Sequence, residues 1–142
     1  MVLHVEDVAP LLIEAVPTFG PLVDHLYAPG RHLPHKPGDG WDAVGFAHHL
    51  ADLLAAGDSA RFPAAFAAIE RLLREGDDEV LRTYRLFFFL QLRLRARDRF
   101  VEPERFEQWL SPTARAAWAD AVKADEDIQR MAHGRHSFAR AD

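Results

Sequence analysis

Apolar residues recur at three- and four-residue spacing along most of the chain, the mark of helices that each bury one face. The clearest stripe is Phe62, Phe66, Ile69 and Leu73, which predicts a helix over 60–75 ended by Gly76. A stripe of Ala43, Phe46, Ala47, Leu50, Leu53 and Leu54 predicts a helix from Trp41 to Gly57. Ahead of it, Asp7 is the expected cap of a first helix reaching Val16, with Pro10 tolerated in the first turn, and a short second helix covers 18–27. Six Pro and Gly residues between 28 and 40 forbid regular structure there. Asp77 or Asp78 caps a fifth helix, a short sixth follows Pro103, and Ser111–Pro112 starts a seventh that buries Ala114, Ala117, Trp118, Ala121 and Val122.

One segment resists this reading. "LQLRLRARDR", residues 90–99, alternates apolar and basic with the period of a strand. Leu, Gln, Arg and Ala favour helix, and the chain holds no second strand to pair with it, so helix is expected. Phe87, Phe88, Phe89 and Leu90 are apolar round the whole circumference, which makes the fifth helix the buried central one. The expected fold is all-α: one domain over 1–132 of six or seven helices, antiparallel hairpins packed as a bundle or short solenoid. Phe66, Ile69, Leu73, Tyr84, Phe88 and Trp118 are its core. The apolar stripe fades beyond Lys123, and 133–142 reads as a flexible tail.

Composition removes several chemistries. With no cysteine among 142 residues, there are no disulfides, thiolate nucleophiles or cysteine-held metals. The first twenty residues carry acids and no Lys or Arg, unlike a signal peptide, and the longest apolar run is too short to span a bilayer. A cytoplasmic protein with no membrane partner is expected. Residues 1–80 carry a net charge of −8 and residues 81–142 a net of +3. The acidic half speaks against nucleic acid and suits a basic protein partner. Arg93, Arg95, Arg97 and Arg99 divide between two opposite helix faces, which points to structural use.

Histidines supply the remaining candidate chemistry. Trp41, His48 and Asp52 fall within about 40° of one another on the third helix, opposite its core stripe. His48 and Asp52 are an i, i+4 pair able to touch, as a general base and its orienting carboxylate would. His32 and His35 lie in the Pro- and Gly-rich stretch. "GWDAVGFAHHL" resembles the W-x-(6 or 7)-H-L segment of the DinB-like metal-dependent four-helix bundles. That resemblance implies a metal enzyme using His35, His49 and a C-terminal histidine, His133 or His136; this chain reads H-x-x-H where that family reads H-x-x-x-H.

The ordered set "AVPTF", "HLPH", "GDG", "IERLLREGDDEV" and "WLSPTARAAW", spread over residues 8–120, is similar to a family of small bacterial helical domains. The resemblance singles out His35 and implies an immunity-protein-like role without catalytic residues or a cofactor. The expected function is therefore non-catalytic: binding and neutralising a bacterial toxin. A helical scaffold or regulatory module is the further alternative. The expected contact surface is His35, Asp39, Trp41, Asp42, His48 and Asp52, with exposed Trp41 as the aromatic anchor.

Overall fold

The computed structural model describes residues 1–26 and 40–141, with side chains described as far as Gly134. The expected irregular segment 28–39, with His32, His35 and Asp39, lies outside the described residues. Among the described residues seven α-helices follow one another: α1 Val5–Ala15, α2 Gly20–Leu26, α3 Trp41–Ala55, α4 Phe62–Glu75, α5 Asp78–Arg82, α6 Phe88–Asp98 and α7 Pro112–Ala141. Residues Thr83–Phe87 form a π-helical segment that fuses α5 to α6, so the fifth expected helix is one continuous rod. Short 3-10 turns, Pro17–Phe19 and Pro103–Trp109, complete the set; the second takes the place of the expected sixth helix. The backbone of α7 stays helical to Ala141, through the segment read as a tail.

Helices distant in sequence pack together: α3 on α6, α1 on α4, and α7 on both α4 and α6. A solenoid would pack only neighbours, so the arrangement is a bundle. The six residues expected in the core are all buried, alongside Phe19, Phe46, Phe62 and Phe106. The 3-10 turn Pro103–Trp109 closes one end by stacking aromatic rings onto α4: Phe62 to Phe106 at 5.7 Å and Phe62 to Trp109 at 4.8 Å.

Side-chain caps mark the starts of α1, α5 and α7. The Asp77 carboxylate accepts from the Val80 N–H (2.9 Å), and the Ser111 hydroxyl accepts from the Ala114 N–H (3.2 Å) while bonding Glu70. Asp7 is not the cap of α1, as its position in sequence suggested. His4 is, and the Asp7 carboxylate reaches back to the His4 N–H (2.9 Å), because Asp7 sits three residues into the helix. Leu3 straps the N-terminus across the α4–α5 turn: its N–H donates to the Glu75 carbonyl (2.7 Å), and its carbonyl accepts from the Asp77 N–H (2.8 Å). A Cβ on Gly76 would stand 2.5 Å from the Leu72 carbonyl oxygen, so only glycine fits beneath that strap.

Two helices end in the same hydrogen-bonded motif. At the end of α3 the Asp58 N–H bonds the Leu53 carbonyl (2.8 Å) and the Gly57 N–H bonds that of Leu54 (3.0 Å). At the end of α6 the Val101 N–H bonds the Ala96 carbonyl (2.8 Å) and the Phe100 N–H that of Arg97 (3.0 Å). Each motif puts one residue in the left-handed region, Gly57 at φ 77° and Phe100 at φ 59°. A side chain costs about 1–2 kcal/mol there, and glycine costs almost nothing.

The basic run that looked like a strand is a helix gripped from both sides. Arg95 donates from Nε (3.0 Å) and Nη2 (3.2 Å) to Asp52 of α3, and Arg99 adds a contact at 3.3 Å. Arg93 and Arg97 reach the other way, to Asp125 of α7, at 2.8 and 2.7 Å. The apparent period of two is two i, i+4 arginine pairs serving opposite neighbours. Arg93 is 3% exposed and Asp125 1%, and the Arg93 guanidinium lies 4.9 Å over the Trp118 ring.

Asp125→Ala should cost about 3–5 kcal/mol in urea denaturation, because it strands a buried guanidinium. Phe100→Gly should do the opposite, stabilising by about 1 kcal/mol and raising the melting midpoint by roughly 2–4 °C.

Candidate functional site

From α5 to α6 Val80, Tyr84, Phe88, Leu92 and Ala96 are buried four residues apart, with Phe89 and Arg93 buried beside the last three. An α-helix of 3.6 residues per turn would rotate such a series steadily off one face. A π turn holds more residues per turn, and Thr83–Phe87 absorbs the drift. The same turn swings Leu86 (40% exposed) and Phe87 (38%) into solvent. The run expected to be buried all round is therefore open on one side.

Phe87 meets the start of α3. Gly40, at φ 88°, sits so close that a Cβ on it would be 3.6 Å from the Phe87 ring. Trp41 follows at 45% exposure, so an aromatic edge joins the first turn of α3 to the π segment. Asp42 points the other way. Expected on the contact surface, it is 4% exposed, because the second residue of α3 faces the core side. Its carboxylate accepts from the Tyr84 hydroxyl (3.4 Å), and the N-terminal dipole of α3 favours its charge. Asp42, Tyr84, Glu79, Thr83 and Gly40 line a hollow of about 10 Å³, room for a single water at most.

The outer face of α3 does not form the expected pair. Asp52 is taken by Arg95 and Arg99, and His48 is left without its orienting carboxylate. Burial, aided by the nearby positive charge of Arg95, pushes the His48 imidazole below its usual range, against the opposing pull of Gln91, Asp52 and Asp98. His49 turns to the other side, where its Nε2 bonds the Thr18 hydroxyl (2.7 Å) and its ring stacks on Phe19 at 6.0 Å. Burial likewise lowers its pKa, with Asp52 opposing.

The proposed metal set is not brought together among the described residues. His49 is committed to Thr18 and His133 is exposed on α7; His35 and the His136 side chain lie outside the described part. No group of three or more His, Cys, Asp or Glu converges there as a metal site. No described helix is long and apolar enough to cross a membrane.

Sequence reasoning placed Trp41 on the outer face, where it is 45% exposed, and did not anticipate the exposure of Phe87 and Leu86 or the Asp42–Tyr84 contact.

The profile of a family described as "Domain of unknown function (DUF7674)" matches residues 9–124. No curated protein matches the chain. No solved structure matches it either.

The two helical histidines give a pH signature. Unfolded, both titrate near 6.5; folded, both resist protonation, so the unfolded chain binds more protons as pH falls through that range. Stability should therefore decline below pH 6.5, and the decline should be shallower in a His48→Gln/His49→Gln variant followed by thermal melts at several pH values. His4, whose pKa is raised chiefly by its bond to Asp77, shifts the other way and is unchanged in that comparison.

Proposed function

This chain belongs to the DUF7674 family, a domain of unknown function, and from that footing we propose that it acts by binding a protein partner rather than by chemistry. The observation that carries this reading is the exposure of Trp41, Phe87 and Leu86, large apolar side chains where the start of α3 meets the π segment. Asp78 and Glu79 are exposed near this edge and so are Arg82 and Arg85, so the preference for a basic partner rests on the acidic balance of residues 1–80.

The finer reading is an immunity-type protein that occludes a bacterial toxin. What supports it is the ordered motif set and the acidic balance of residues 1–80. The contact surface is narrower than the sequence suggested. Trp41 stays in it; Asp42 is buried beneath it, and the charge of Asp52 is answered within the chain by Arg95 and Arg99.

Calorimetric titration with the protein encoded by the neighbouring gene tests this. Phe87→Ala should weaken binding about tenfold or more while the melting midpoint holds, and affinity should fall as salt rises. Unchanged affinity in both Phe87→Ala and Trp41→Ala would remove this surface from the contact.

A further inference from the structure

We propose that residues 1–4 form a clasp that closes on the turn between α4 and α5 and opens as the pH rises, with His4 as its lock. Three contacts make the clasp. The Leu3 N–H donates to the Glu75 carbonyl (2.7 Å), and the Leu3 carbonyl accepts from the Asp77 N–H (2.8 Å). The third is His4 Nδ1, which lies 2.9 Å from the Asp77 carboxylate. Leu3 itself is 5% exposed, whereas Met1 and Val2 beside it are 91% and 57% exposed. One buried side chain and two backbone bonds thus hold an otherwise exposed segment, the kind of unit that opens locally while the core stays folded.

Asp77 ties the lock to the fold. Its Oδ1 accepts from the Val80 N–H (2.9 Å) and caps α5, while its Oδ2 meets His4. The Val80 N–H, and after it His4, hold this carboxylate below its usual range, so it stays charged wherever imidazole titrates. Only His4 changes charge across the clasp there. It faces acids from both elements, Asp77 of the turn and Glu6 and Asp7 of its own helix. The bond to Asp77 does most to raise the imidazole pKa, with desolvation opposing.

The sign follows from linkage. A group with a higher pKa in the closed state than in the open one favours closure fully below its open-state value, here near 6.5. That contribution is lost as the pH climbs through the closed-state value. A neutral imidazole can still donate from Nδ1, but the charge-assisted bond is the stronger. The clasp is therefore tight in mild acid and looser in mild base. His48 and His49 act on the whole bundle in the opposite sense. Opening frees Leu3 from the core and unties the turn that leads into α5.

The test is amide hydrogen exchange on the full chain, followed by NMR between about pH 5.5 and pH 8, with each rate divided by its intrinsic value at that pH. Protection of the Leu3 and Asp77 amides should fall about threefold across that range, the size expected of a partly exposed ion pair. Protection at Leu92, in the core of α6, should not follow it. His4→Gln and Asp77→Asn should each abolish the fall; asparagine caps as well as aspartate, so the second variant keeps α5. In Asp77→Asn the His4 ring signals should also titrate closer to 6.5 than in the wild type. Protection that is flat with pH in the wild type overturns the proposal, as does protection at Leu3 and Asp77 that matches Leu92 at every pH, which would mean that the clasp opens only with the whole fold. An undiminished fall in His4→Gln overturns it as well. That result would pass the effect to the Met1 amine, whose charge acts on Glu75 of the same turn and is untouched in the variant.

Discussion

The central rod of the bundle is held by arginines that face opposite ways. Arg93 and Arg97 share Asp125 of α7, and Arg95 and Arg99 share Asp52 of α3. Apolar stripes alone would allow α3 and α7 to slide or turn against the rod, because hydrophobic contact is not directional. A carboxylate shared between two guanidinium groups one turn apart permits one register. The Arg93–Asp125 pair is fully buried, so a slipped register would strand two desolvated charges, a cost far above that of a lost methyl contact. Burial raises the Asp125 pKa, but the hydrogen bonds from Arg97 and Arg93 outweigh it and keep the carboxylate below its usual range.

That register has consequences along the rod. Near its middle the π turn helps keep Val80, Tyr84 and Phe88 on the buried side, and Leu86 and Phe87 are exposed there near the start of α3. At its far end the helix stops in a hydrogen-bonded turn that fixes Phe100 outward. The rod thus carries exposed aromatic groups near its middle and just past its C-terminal end. Between these groups Asp42 and Tyr84 face a hollow of about 10 Å³, and the helical histidines are engaged by Thr18 and Gln91.

Much of the fold was legible in the sequence. Local rules set the helices, since the apolar spacing, Gly57, Gly76, Asp77 and Ser111–Pro112 act within a turn or two of where they stand. The same locality explains the reading of 90–99 as helix despite its period of two. What each arginine grips is another matter. Asp52 pairs with Arg95 rather than His48, four residues away on its own helix, because α6 brings a guanidinium to it from 43 residues along the chain.

The choices that bear on function were made by the tertiary structure. Asp42 and Trp41 are adjacent in sequence and carry the same apparent role, yet one is buried on Tyr84 and the other exposed. Phe87 and Phe88 differ in nothing a sequence can state, yet Phe87, the last residue of the π turn, is 38% exposed and Phe88 is fully buried. Phe100 reads as an ordinary apolar residue until its backbone angle is known. The sequence by itself determined most of the helix spans and the core stripes, because those follow from spacing along one chain. Only the tertiary structure decided which charges are spent and which aromatics stay exposed, because both depend on what a distant helix brings alongside.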